Sequence, residues 1–218
     1  MVIGDARVGI INADSVGTVL VERALWWRVY SNAYRTCTFN TSTTGNARFS
    51  PLYDSKGIIV PTMYLGQTPA IALMETVLHD CPYPSSGYIL TLPNEKKEIR
   101  RMGCFAILEP LLLADFSAIG LRRIGLKKSQ IIESEKTKYS FTRSLASQIY
   151  SLRPDVQGIQ WTSKQDDRAS VVILFEPRIS SHKIIAWHKD LHINDGIVLD
   201  ELVDLLDKLD AGLTISGY

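Results

Sequence analysis

TPAIALMETVLH, residues 68–79, is the stretch on which the reading of this chain turns. Thr68 followed by Pro69 is a helix-start signal: a hydroxyl to cap free N–H groups, then a proline at the first helical position, where its missing N–H costs nothing. At 3.6 residues per turn, Ile71, Met74 and Leu78 stack on one face of a helix over 68–79, and Glu75 falls roughly 40° from the middle of that apolar stripe. Burying an unpaired carboxylate is costly. Glu75 therefore reaches water at the stripe edge, has a cation of its own, or faces a cleft where its charge is used.

Working outward, Ile58 to Leu65 is an apolar run that reads as a strand leading into this helix. Further back, Ala24 to Ser31 (ALWWRVYS) is rich in aromatic and β-branched residues and reads as another strand. Arg28 sits in its middle, with Trp27 and Val29 sharing the opposite face under strict alternation. An arginine so placed either snorkels to water or lines a cleft. A polar loop spans Thr38 to Ala47. Arg48 follows in GNARFSP, where Gly45 and Asn46 permit tight backbone geometry and Pro51 ends the segment. Guanidinium groups bind diphosphates through planar, bidentate hydrogen bonds, so two arginines near one carboxylate point to an anionic substrate; two structural ion pairs are the alternative.

On the C-terminal side, Cys81 to Gly87 is turn material. Tyr88–Leu92 and Cys104–Leu113 are strand candidates on either side of a charged segment, Asn94 to Arg101. Leu121 to Lys138 is basic and irregular, with Arg122, Arg123, Lys127 and Lys128 close together and no accompanying nucleic-acid motif, which makes it a solvated face. Ser140 to Leu152 has helical spacing at Phe141, Leu145, Ile149 and Leu152, and Arg153-Pro154 ends it. Gly158–Thr162, Ser170–Phe175 and Lys183–Trp187 are short β-like runs. Leu199 to Leu209 is an amphipathic helix whose leucines either pack on the core or serve a partner. Short strands with interspersed helices and no βαβ rhythm predict an α+β fold, in one domain over 1–218.

Composition bounds the function classes. Lys+Arg 24 against Asp+Glu 23 gives a formal charge of +1, which offers no global pull toward nucleic acid or anionic membrane. The 45% hydrophobic content is enough for a core. Cys37, Cys81 and Cys104 are odd in number and lack metal-ligand spacing, as free thiols in a reducing compartment would be. There is no signal-peptide layout and no window of about 18 apolar residues, so a soluble cytoplasmic protein is expected. His188 and His192, with Asp190 or Asp195, have a spacing that binds metal on a helix, but AWHKDLHINDG reads as strand and turn; no metal is expected. Nucleophile-elbow, GxGxxG and P-loop patterns are all missing, which argues against a hydrolase triad and against the usual dinucleotide and nucleotide loops.

WWRVY, GNARFSPLY, PTMYLGQTPAIALMET, GIQWTS and VVILFEP, taken in that order and spacing, resemble the RES domain, a family named for its arginine, glutamate and serine. The resemblance covers about Ala24 to Pro177. It implies an ADP-ribosyltransferase-like fold of compact, twisted β-sheets with flanking helices. It also implies a toxin of a type II toxin–antitoxin system that degrades NAD as substrate, by hydrolysis or phosphorolysis. ADP-ribose transfer to a protein is the catalytic alternative, and a silent antitoxin-binding module is the non-catalytic one. The expected partner is a helix-turn-helix antitoxin, through which any DNA contact would run; a homodimer and a toxin–antitoxin hetero-oligomer are equally compatible. By the same resemblance Arg28 and Arg48 would grip the NAD pyrophosphate and Tyr64 would pack on nicotinamide or its ribose. Glu75 would stabilise the cationic sugar, and Ser163 would bond the ribose or the glutamate. Thr162 offers a hydroxyl at the same place. The chain departs from the family pattern at Gly45-Asn46-Ala47, where a richer glycine lead is usual, and at Trp161, where a smaller aromatic is usual.

Overall fold

The computed structural model describes residues 9–94, 100–180 and 182–216. In chain order the elements are β1 (Thr18–Val21), β2 (Ala24–Tyr30), β3 (Leu52–Tyr53), β4 (Ile59–Val60), β5 (Thr62–Gly66), α1 (Pro69–Met74), β6 (Ile89–Leu92), β7 (Arg101–Ile107) and β8 (Leu111–Asp115). There follow α2 (Ala118–Arg123), α3 (Lys128–Ile131), α4 (Tyr139–Leu152), β9 (Gly158–Thr162), β10 (Ser170–Phe175), β11 (Ile184–Ala186), β12 (Leu191–His192), α5 (Gly196–Lys208) and β13 (Gly212–Ile215). Nine strands form one mixed sheet in the order β1-β8-β9-β10-β5-β2-β7-β11, with β12 also pairing with β7. Its pairs are antiparallel except β8 with β9. This is the α+β architecture that the strand-and-helix order predicts.

Four readings of the sequence are corrected. The run Ile58–Leu65 is not one strand: Pro61, which has no N–H to donate, divides it, so that β4 pairs with β3 in a small hairpin while β5 enters the large sheet. Cys104–Leu113 is likewise two strands, β7 and β8, parted at Leu108–Pro110. The stretch Leu121–Lys138 is not irregular; it holds the end of α2, whose cap Ser117 accepts from Gly120 N–H, and the short α3. The fourth correction concerns α1, which stops at Met74, before Glu75. The Leu73 carbonyl accepts from the N–H groups of Thr76, Val77 and Leu78, and the Thr76 hydroxyl donates to the Ala72 carbonyl, so the last turn winds up on itself. Of the charged segment 94–101, residues 95–99 lie outside the described residues.

Three cores line the sheet: one around Met63, Leu65, Phe105, Val172 and Leu174, and two more under the helices. Of these two, one, around Phe49, Phe116, Ile149, Trp161, Ile173 and Phe175, is closed by α4. The other packs α1 against α5 and β6 through Leu73, Leu78, Leu90, Leu202 and Leu206. The leucine stripe of α5 is thus spent on the core: Leu202 is fully buried and Leu206 nearly so. In the basic stretch, Arg122, Arg123 and Lys127 are exposed and Lys128 pairs with Glu133 at 3.6 Å. All three cysteines are unpaired.

Candidate active site

β5, α1 and the β9–β10 hairpin bring the site together. Gly66 ends β5, and a Cβ there would lie 2.8 Å from the Ala72 nitrogen and 3.0 Å from Ile71 Cγ2. The missing side chain is what lets α1 fold back directly onto the sheet. Thr68 caps α1, its hydroxyl accepting from Ile71 N–H at 3.2 Å, an interaction that ordinarily stabilises a helix by about 1 kcal/mol. Glu75 is the C-cap, its N–H bonded to the Ile71 carbonyl at 2.9 Å. A carboxylate at a helix C-terminus is disfavoured by the helix dipole, so its placement has to be supported from elsewhere.

Ser163 supplies that support. It follows β9 and opens the loop to β10, with its N–H on the Ala169 carbonyl at 3.0 Å. Its hydroxyl is fully buried, donates to Glu75 Oε1 at 2.6 Å, and accepts from the N–H groups of Gln165 and Asp166. Of the two hydroxyls the sequence leaves open, the one bonded to Glu75 belongs to Ser163. Gln165 adds a second tie, from its side-chain amide to the His79 carbonyl at 3.4 Å.

A cavity of about 500 Å³ opens over Glu75, and Arg28, Arg48 and Tyr64 line it together with that glutamate. Ser163 stands behind the glutamate rather than at the cavity surface. Arg28 is held by its Nη1, which donates to the Thr38 carbonyl at 2.8 Å and the Thr36 carbonyl at 3.4 Å, with the Tyr30 ring 5.2 Å from its Cζ. Arg48 donates through Nη1 to the Ile131 carbonyl (2.6 Å) and to both oxygens of Ser134 (2.9 and 3.2 Å), with Tyr139 at 4.9 Å. Among the described residues no carboxylate pairs with either guanidinium, and Nε and Nη2 of both are unbonded. Burial pulls the Arg28 guanidinium down to about 10 and lowers that of Arg48, which the nearby charge of Glu75 partly restores. Both stay protonated at neutral pH.

The floor is aromatic. Tyr64 meets Trp161 edge-to-face at 6.0 Å, and Trp161 meets Phe49 at 5.0 Å. The Tyr64 hydroxyl accepts from Phe49 N–H at 2.9 Å, which fastens the Arg48 segment to β5; burial pushes this phenol up to about 12. Trp161, the larger aromatic for this position, fills the space beneath Tyr64. Thr142 strengthens the same segment by donating to the Arg48 carbonyl.

The cavity also draws on residues that the sequence does not single out. Tyr30, His79, Asp80, Lys136 and Tyr139 contribute to its walls, beside Asn46 from the segment before Arg48. At the rim Lys136 donates to both Asp80 oxygens at 2.7 and 2.8 Å, and His79 Nδ1 lies 2.8 Å from the same carboxylate. Helical spacing from Glu75 reaches His79, but only folding brings Lys136 and Tyr139 alongside. His188 and His192 are elsewhere; His192 Nε2 lies 3.3 Å from Arg101 Nη2. Among the described residues no group of three or more His, Cys, Asp or Glu is placed to hold a metal ion, and no helix is long and apolar enough to cross a membrane.

No curated protein sequence matches the chain. Its fold is similar to that of a chain in the crystal structure of the M. tuberculosis MbcT–MbcA toxin–antitoxin complex, with a TM-score of 0.62 at 13% identity, covering 91% of this chain and 94% of that one. A sequence profile of the RES domain matches residues 25–194, from the second residue of β2 to just beyond β12. With more than half of its length so matched, the chain belongs to the RES domain family.

Proposed function

We propose that this protein is the toxin of a type II toxin–antitoxin pair and that it destroys NAD by breaking the N-glycosidic bond to nicotinamide. One observation carries the reading: a carboxylate fixed by a buried serine faces a cavity with two half-bound guanidiniums that have no anion of their own, while the cavity's other carboxylate, Asp80, is taken up by Lys136 at the rim. Two buried cations in that state are poorly solvated, and an incoming pyrophosphate supplies the bidentate acceptors they lack. The dinucleotide would then lie across the aromatic floor with its nicotinamide ribose toward Glu75.

Breaking the C–N bond leaves its electron pair on the nicotinamide nitrogen, which needs no proton to depart because it is already cationic. Positive charge passes to the anomeric carbon and ring oxygen. A carboxylate held in advance against that carbon stabilises the oxocarbenium-like state without reorganising. The bond from Ser163 occupies one Glu75 oxygen and sets the direction of the other. Water or phosphate then forms the new bond to the anomeric carbon and loses a proton to solvent, giving ADP-ribose or its 1-phosphate. A protein antitoxin is the natural regulator of such an activity, and the structurally similar chain was crystallised with one.

The test is to incubate purified, antitoxin-free protein with NAD, with and without phosphate, and to separate the products. Nicotinamide together with ADP-ribose or its phosphate ester is expected. Intact NAD in both buffers overturns the proposal; label retained on a protein with little free ADP-ribose would move the reaction to ADP-ribosyl transfer.

A further inference from the structure

Asp190 has no part in the site described above, yet it ends close behind Arg28. On β2, Arg28 and Tyr30 share a face, and across the ladder Arg28 is paired with Gly103 on β7. A Cβ on Gly103 would lie 2.9 Å from Asp190 Oδ1 and 3.4 Å from Thr36 Cγ2. The empty position opposite Arg28 is therefore what admits both Asp190 and the Thr36 turn. The segment that carries Asp190 is held on both sides: Trp187 N–H bonds the Cys104 carbonyl at 2.8 Å, and Leu191 and His192 pair with Met102 and Arg101.

Asp190 Oδ2 accepts from the hydroxyls of both Tyr30 and Thr36. Burial and this bond push the Tyr30 phenol up to about 12, so it remains a donor. These are two of the three residues that hold Arg28, Tyr30 through its ring and Thr36 through its carbonyl; the third, Thr38, gives the shorter bond at 2.8 Å. The carboxylate thus stands one residue away from the guanidinium, behind the Tyr30 ring and the Thr36 main chain. Bonded directly, it would neutralise Arg28 and compete with an anionic ligand; at one remove it fixes the cradle and leaves the arginine's remaining donors for the ligand.

We propose that Asp190 is a positioning residue for the cavity, orienting Arg28 through Tyr30 and Thr36. The kinetic part of its test rests on the NAD reading, whereas the labelling part does not. Asp190→Ala should raise KM for NAD about tenfold with kcat changed by less than about threefold, and Asp190→Asn, which keeps an oxygen acceptor, should recover most of the loss. On an Arg28→Ala background, Asp190→Ala should add almost nothing, because its effect passes through that side chain. In parallel, phenylglyoxal modification of Arg28, followed by peptide mass spectrometry without NAD, should be about threefold or more faster in Asp190→Ala. If Asp190→Ala does not fold, Thr36→Val replaces it, with a smaller rise in labelling expected. Labelling at the wild-type rate, or a KM penalty as large without Arg28 as with it, overturns the proposal. Wild-type protein that releases no nicotinamide removes the NAD reading, and the labelling comparison then decides the role of Asp190 alone.

Discussion

Two cavities of similar size flank the Ser163 segment, one of about 500 Å³ over Glu75 and one of about 530 Å³ beside α5. Volume does not distinguish them; charge does. The second is lined by cations and anions that are partly paired at the surface: Arg168 pairs with Asp166 at 2.7 Å and Lys128 with Glu133 at 3.6 Å. In the first cavity Arg28 and Arg48 are buried, bonded only to main-chain carbonyls and a serine, and left with unpaired donors. A third arginine, only partly buried, shows what a structural role looks like. Arg178 donates through both Nη atoms to the carbonyls of Arg153, Val156 and Tyr150 and stacks on the Tyr150 ring at 3.7 Å, away from either cavity. What sets Arg28 and Arg48 apart is that donors left unused face a cavity.

The contrast breaks most visibly at Glu75. Glu75→Gln keeps the shape and the Ser163 bond but removes the charge, and nicotinamide release should fall by about two to three decades, equivalent to about 3–4 kcal/mol of barrier, with the melting temperature nearly unchanged. A smaller loss in a steady-state assay would mean that the carboxylate is not where positive charge develops. Ser163→Ala comes next. It frees Glu75 Oε1 and orphans the N–H groups of Gln165 and Asp166, and a lost bond to a charged group is worth about 1.5–3 kcal/mol. We expect kcat to drop by about one to two decades, accompanied by a lower midpoint in urea. An unchanged kcat with only the midpoint lowered would make Ser163 a loop anchor. Smallest is Lys208→Ala in the second cavity, where an exposed charge contributes about 0–1 kcal/mol and kcat and KM should stay within about twofold. A large kinetic effect there would show that the two cavities are coupled through Ser163.

Much of this contrast was legible in the residues. Arg28 in WWRVY and Glu75 beside an apolar stripe are each out of place in their own element, and that local misfit is visible without coordinates. The capped helix start at Thr68-Pro69 reads directly, because N-cap and first-turn preferences are set by backbone sterics within a few residues. The end of α1 was harder. It depends on the Leu73 carbonyl being shared by three N–H groups, which a hydrophobic period does not report. The breaks at Pro61 and Leu108–Pro110 are present as letters, yet the apolar residues on either side read as one run. Lys136 and Tyr139 lie in a stretch that looks like solvated, basic surface, and nothing local ties them to Glu75.

By itself the amino-acid order settles the α+β class, the RES motifs, and which residues are chemically misplaced, since these follow from periodicities and preferences that act over a few positions. Tertiary structure alone decides that Glu75 is bonded by a serine 88 residues away and that Arg28 is backed by an aspartate that bonds the neighbouring Tyr30 from 160 residues away. The reason is geometric. Strand pairing places β2 beside both β5 and β7, and the side chains missing at Gly66 and Gly103 let α1 and the Asp190 segment close to within hydrogen-bonding reach.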